Sequence, residues 1–164
     1  LMKSIFSRFS SVTLPSEICH TSIGILSTLS SFSFDILPIE FTHHKFNIVW
    51  NMLQDLEFSE EFQVSKEIYS NFIDQTRIQY QTYSNPFHNF NHGITVCHMI
   101  FRILKSPSIK SYINEIESFA LFWAALAHDM DHTGRTNAFE ISSKSELSLI
   151  YNDFSVSLSN NSGS

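Results

Sequence analysis

Two short segments hold most of the side chains in this 164-residue chain that could do chemistry. The first is Phe87-His-Asn-Phe-Asn-His-Gly93 and the second is His128-Asp-Met-Asp-His-Thr-Gly-Arg-Thr-Asn137. They carry four of the eight histidines together with the carboxylates Asp129 and Asp131. A cation held for catalysis takes three or four ligands from His, Asp or Glu and leaves positions open for water and substrate. His128 and Asp129 are adjacent and cannot share a face inside a helix, but at a helix end the chain can turn until both reach one ion. His92 supplies a third ligand from another helix. His88 lies four residues before His92, so both rings can face one pocket from a single helical turn. One of the two could ligate while the other, near the metal, exchanges protons. Asp131, His132, Gly134 and Asn137 follow at short spacings, and this many polar groups after a very apolar helix must be satisfied by something. A metal and its water shell would do so. His20, His43, His44 and His98 stand apart from carboxylates and read as surface or core residues.

Holding such a site requires rigid elements, and the patterning supplies helices. The chain is 43% hydrophobic, with sixteen phenylalanines against only four glycines and four prolines, and its periodic stretches are long. These features predict an all-α, multi-helix bundle rather than a many-stranded fold. Phe46, Val49, Trp50, Leu53 and Leu56 mark one helix, and Phe58-Ser-Glu-Glu61 interrupts the pattern. Val64, Ile68, Phe72 and Ile73 mark a second helix running to about Tyr83, which Asn85-Pro86 ends. A third, opened by His92 and stopped by Ser106-Pro107, shows Val96, Met99, Ile100, Ile103 and Leu104 on one face. Ile116, Phe119, Ala120, Phe122, Trp123, Leu126 and Ala127 make a fourth that is apolar nearly all round, so it reads as a central buried helix ending in His128 and Asp129. Residues 137–153 are mixed, with a shorter helix expected around Glu146 to Tyr151.

The division expected from these patterns is a poorly ordered serine-rich leader over 1–33, a helical domain over 34–156 and a frayed polar tail over 157–164. A net charge of −6, with no Lys/Arg cluster, argues against nucleic acid as a partner. Cys19 and Cys97 form no framework or zinc ribbon, which points to a reducing, cytoplasmic compartment. No apolar run is long enough for a transmembrane segment. The first residue is Leu1, and a longer reading frame is expected around the chain.

The two chemical segments, continued to His98 and to Phe139, resemble the two N-terminal metal motifs of the class I 3',5'-cyclic nucleotide phosphodiesterases. The second keeps that family's His-Asp pair, its further His three residues later, and the Gly and Asn that follow. Ser145-Glu-Leu-Ser-Leu-Ile-Tyr-Asn-Asp153 resembles the family's next segment. The likeness runs from about Phe34 to Val156, roughly the first half of such a catalytic domain. It implies that His92, His128 and Asp129 are ligands of a zinc ion, that Asp129 also bridges to magnesium or manganese, and that His88 is the general acid. Asn89, Asp131, His132 and Asn137 would orient ligands and waters. The implied reaction is hydrolysis of cyclic AMP or cyclic GMP to the nucleoside 5'-monophosphate, with His88 protonating the departing 3' oxygen. Two cations suit it, because they activate water and neutralise phosphoryl charge.

The chain departs from the family in three places. Phe87 stands where the family has tyrosine. After Asn152-Asp153 the family's Glu-Asn-His-His is replaced by Ser157-Leu-Ser-Asn-Asn161, so the glutamate that pairs with the acid is missing. The family's last zinc ligand, an aspartate, and its purine-binding glutamine fall beyond Ser164. Three of four ligands and no base-binding wall predict weak metal binding and little activity for this polypeptide alone. Two rivals are another His-Asp metal phosphohydrolase and a non-catalytic fragment that only binds partners. The His88-Asn89 pair before His92, with Gly134 and Asn137, favours the cyclic nucleotide reading.

Overall fold

The computed structural model describes Leu29, residues 42–146 and Ser148. Among the described residues the chain is built from α-helices and one 3-10 turn, with no strand. The expected leader, apart from Leu29, and the expected tail lie outside the described residues, as does most of the helix expected around Glu146 to Tyr151.

Helix α1 spans Thr42–Asp55 and buries Ile48, Val49, Met52 and Leu53. It stops where Glu57 takes a left-handed conformation (φ 62°), and the single turn α2, Phe58–Glu61, is closed by another at Gln63 (φ 53°). Helix α3, Lys66–Tyr80, begins at Ser65, whose hydroxyl accepts the Ile68 N–H and so satisfies one of the free donors of the first turn. It ends three residues short of the expected Tyr83, because residues 81–83 form a turn in which the Thr82 hydroxyl donates to the Gln79 carbonyl.

Helix α4, Phe90–Leu104, is capped by Asn89 rather than opened at His92. A short 3-10 turn, Ile109–Ser111, leads to α5, Glu115–Ala127, which starts in a reciprocal capping box between Asn114 and Glu117. Helix α6, Asn137–Ser142, is capped by Thr136 in a stretch where the sequence shows no clear period.

Helix α4 is the hub, packing on α5, α1 and α3. The Cys97 thiol approaches the Phe122 carbonyl, and the Gly93 backbone approaches the Leu126 carbonyl. Residues rising along α4 therefore meet residues falling along α5, so the pair is antiparallel. The N-terminus of α4 and the C-terminus of α5 share one end of the bundle, and the two chemical segments lie there. Behind them Phe58, Phe62, Phe119, Phe122, Phe72 and Trp123 interlock, with Phe62 stacked on Phe119 at 4.1 Å and the others mainly edge to face. Each such ring, fully buried, contributes about 1.5–3 kcal/mol of transfer free energy.

Two expectations about faces are corrected. The buried stripe of α4 is Phe90, Ile94, Cys97, Phe101 and Leu104, whereas Met99 and Ile103 are exposed. The period is right and the phase is rotated, because α4 is apolar around much of its circumference and Cys97 and His98 occupy core positions. Helix α5 is buried on one side only: Phe119, Phe122, Trp123, Ala125 and Leu126 face the core, while Ile116 (63%) and Leu121 (40%) are exposed. No described element covers that second face.

Candidate metal centre

Each chemical side chain is delivered by a helix end. Asn89 accepts N–H bonds from Asn91 and His92 with one side-chain oxygen, which starts α4 and fixes His92 in its first turn. At the other terminus α5 finishes at Ala127 and the chain turns at once, through Met130 N–H to the Ala127 carbonyl and His132 N–H to the Asp129 carbonyl, both at 3.1 Å. Asp131 makes the tight turn possible by adopting φ 60°, a left-handed conformation that Asp tolerates better than most residues. The turn carries His132 back until its ring stacks on His88, with centroids 3.9 Å apart and planes 18° from parallel.

Three imidazoles converge on one oxygen. His88 Nδ1, His128 Nε2 and His92 Nε2 lie 2.8, 3.0 and 3.3 Å from Asp129 Oδ2. The donor atoms of His88, His92 and Asp129 all lie within 4.8 Å of one another, and His128 joins them through the shared Asp129 oxygen. Atoms bound tetrahedrally at about 2.0–2.2 Å from one ion stand roughly 3.3–3.6 Å apart, so a few tenths of an ångström of opening would seat a cation.

The protonation chemistry fits as well. His128 Nδ1 can only donate to the Ala125 carbonyl, 2.9 Å away, which turns Nε2 toward the Asp129 carboxylate oxygen. A backbone-bonded Nδ1–H is the usual way a ligating histidine is oriented. Burial holds the His92 imidazole below its ordinary pKa, and the neighbouring His128 and His88 act the same way, against the opposing pull of Asp129. Its neutral form, the one that ligates, is thereby favoured. For Asp129 burial acts upward, but the His88 hydrogen bond and the charges of His128, His88 and His92 outweigh it and hold the carboxyl below the usual range.

The comparisons agree with this geometry. Residues 87–161 match the family model described as 3'5'-cyclic nucleotide phosphodiesterase. The chain is 28% identical over 137 residues to a mouse dual specificity calcium/calmodulin-dependent 3',5'-cyclic nucleotide phosphodiesterase 1C, covering 82% of this chain and 19% of that protein. It is 31% identical over 137 residues to the human 1B enzyme, covering 82% of this chain and 26% of that one. The solved phosphodiesterase domain of the Salpingoeca rosetta rhodopsin phosphodiesterase superposes with a TM-score of 0.69 at 36% identity, covering 80% of this chain and 40% of that structure. These matches support a class I cyclic nucleotide phosphodiesterase catalytic domain.

The chain spans about a fifth to a quarter of the length of the curated relatives named here. The matched family implies use of divalent metal, and the His88, His92 and Asp129 cluster fits it. Of the remaining expected residues, Asn89 is the α4 cap and His132 stacks on His88. Asp131 is exposed at the turn, outside the donor cluster, and Asn137 is the half-buried first residue of α6. Phe87 is 63% exposed and leans over His92 with centroids 4.8 Å apart. His98 is buried, and its Nε2 donates to the Leu29 carbonyl at 2.7 Å, away from the centre. No described helix is long and apolar enough to cross a membrane.

Sequence reasoning missed two residues that brace this site. Asn85, read there only as a helix stop, is buried, and its side-chain oxygen accepts the N–H groups of both Phe87 and His88 at 3.0 Å. Tyr80, read only as part of α3, places its hydroxyl between the Leu126 carbonyl and the Asp129 N–H. Their separations from Asp129 and His132 along the chain, 49 and 47 residues, carry no local signal.

Proposed function

We propose that this chain is the N-terminal part of a catalytic domain that hydrolyses 3',5'-cyclic nucleotides, cyclic AMP or cyclic GMP, to nucleoside 5'-monophosphates. The convergence of His88, His92 and His128 on one oxygen of Asp129, in a chain that matches this family, carries the reading. His92, His128 and Asp129 would hold zinc, and Asp129 would also reach a second ion, magnesium or manganese. When bound, the ions supply an activated water and neutralise charge on the phosphoryl oxygens.

The residues of the chain do the rest. His128 is oriented by its Nδ1–H bond to the Ala125 carbonyl, and His92 by its place in the capped first turn of α4. His88 is the proton donor: it sits on the turn before α4, half-exposed, where a substrate oxygen can approach, and its Nδ1 is held by Asp129. As the 3' C–O–P linkage breaks at phosphorus, the proton passes from His88 to the departing 3' oxygen. His132, stacked on His88, limits the rotation of that ring. Cys97 is free and buried, in keeping with a reducing compartment such as the cytoplasm.

The chain covers 40% of the solved domain, and His92, His128 and Asp129 are the groups that a measurement on it can address directly. Zinc titration by calorimetry therefore comes first, with hydrolysis of a panel of cyclic and acyclic phosphate esters alongside. His92→Ala, His128→Ala and Asp129→Ala should each abolish measurable zinc binding, whereas His88→Ala, which removes only a hydrogen-bond partner of the Asp129 carboxylate, should weaken it by about tenfold. Zinc binding that depends on His88 and not on His128 would exchange their roles. Turnover of acyclic esters in preference to cyclic nucleotides would defeat the substrate assignment, and absence of zinc binding at micromolar levels would favour a non-catalytic role.

A further inference from the structure

Helix α3 contributes no ligand to the metal centre, yet its last residue reaches into it. Tyr80 is buried at 4% exposure, and its hydroxyl donates to the Leu126 carbonyl at 3.0 Å while accepting the Asp129 N–H at 3.2 Å. Leu126 and Asp129 bracket the point where α5 ends and the His128-Asp129 turn begins. Carbonyls in the last turn of a helix lack intrahelical partners, and here the Met130 N–H goes to Ala127 instead of Leu126. The Tyr80 hydroxyl occupies the place that Met130 leaves open.

The same hydroxyl also meets α4. A β-carbon at position 93 would stand 2.6 Å from the Leu126 carbonyl oxygen and 2.8 Å from the Tyr80 hydroxyl, so only glycine lets the α4 backbone come this close to the end of α5 and to the Tyr80 side chain. Gly93 follows His92 directly. One hydroxyl is thus wedged between the helix that carries His92 and the turn that carries His128 and Asp129.

We propose that Tyr80 is a positioning residue for the metal: its hydroxyl sets the separation and orientation of the His128-Asp129 turn relative to His92, and thereby the affinity of the site. This rests on the assignment of His92, His128 and Asp129 as ligands. Partners that orient ligands without touching the ion typically change affinity by about 10- to 100-fold when removed. Tyr80 acts on the ligand backbone rather than on a ligand side chain, so the lower end of that range is the expected effect.

The test is zinc titration of the chain by calorimetry, with helix content checked by circular dichroism. Tyr80→Phe should keep the helical spectrum and raise the zinc dissociation constant about tenfold. Gly93→Ala, which pushes on the same hydroxyl from the other side, should weaken zinc in the same direction. Tyr69→Phe is the comparator, since Tyr69 is equally buried and its hydroxyl donates to the Phe46 carbonyl on α1, remote from the site. It should lower thermal stability while binding zinc as the unaltered chain does. Wild-type zinc affinity in Tyr80→Phe, or an equal loss in Tyr69→Phe, would overturn the proposal and leave Tyr80 a structural residue. If Asp129→Ala bound zinc normally, the ligand assignment itself would fall and the proposal with it, an outcome distinct from the other two.

Discussion

The side-chain oxygen of Asn85 accepts the backbone N–H of His88 at 3.0 Å, and its amide nitrogen donates to the carbonyl of His132 at 3.4 Å. A single buried amide therefore ties the turn before α4 to the loop after α5, the two segments whose rings stack. Asn85→Leu would leave the Phe87 and His88 N–H groups without their acceptor, and a buried donor left unsatisfied costs about 1–3 kcal/mol. The expected result is a lower urea midpoint with an unchanged slope. Asn85→Asp keeps the acceptor but cannot donate to His132, so it should lose less than Asn85→Leu; an equal loss would show that the acceptor contributes little.

Gly134 lies against the same amide. It adopts φ 78°, and a β-carbon there would stand 2.7 Å from Asn85 Nδ2. The left-handed conformation alone costs an L-residue about 1–2 kcal/mol, and the contact adds to it. Gly134→Ala should destabilise the chain by at least that amount in chemical denaturation. In the Asn85→Ala background, where the clashing group is gone, the effect should shrink toward the conformational part. Equal effects in both backgrounds would remove the contact from the explanation.

How much of this was legible in the sequence depended on whether the cause was local. His92, His128 and Asp129 could be picked out because metal chemistry demands those residue types, and the helix-end position of His128-Asp129 followed from the apolar run before it. The caps Asn89, Asn114 and Thr136 are short-range features too, yet the helix opening was expected at His92 and none of the three was anticipated as a cap. The buried face of α4 was not legible. With Ile94, Val96, Cys97, Met99, Ile100, Phe101, Ile103 and Leu104 spread around the helix, periodicity has no single phase, and the packing of α5 and α1 selects one. Tyr80 was invisible for a related reason: its two partners lie 46 and 49 residues away, and nothing at either end announces the meeting.

The collapsed arrangement of three imidazoles on Asp129 gives a prediction about metal and stability. A ligand that binds only the folded state stabilises it by about 2.7 kcal/mol when present at a hundred times its dissociation constant. Zinc should raise the melting temperature of the chain, excess chelator should reverse the shift, and His128→Ala should abolish it. A zinc-induced shift of the same size in His128→Ala would mean that the ion binds elsewhere, for instance to the unassigned histidines.

His98 sets an acid limit that is separable from the metal centre. Its imidazole is buried on α4 against the Leu29 carbonyl, and burial, helped by nearby Arg102, holds its pKa below the ordinary 6.5 although the Leu29 bond acts the other way. Below that ordinary value the unfolded chain binds a proton at this site that the folded chain resists, so stability rises with pH there. The contribution is fully present above pH 6.5 and is lost as the pH falls through the depressed folded value. His92 is shifted in the same direction, whereas the lowered carboxyls Asp129 and Glu140 act only in the more acidic range below their ordinary values of 3.8 and 4.5. Urea midpoints measured from pH 7.5 down to 5 should therefore decline in the unaltered chain and decline less in His98→Gln, which retains a donor for the Leu29 carbonyl. His92→Ala should flatten the same limb independently, and the double variant should be flatter than either. Parallel curves for the unaltered chain and His98→Gln would mean that the imidazole titrates alike in the folded and unfolded chain, and the burial argument for His98 would fail.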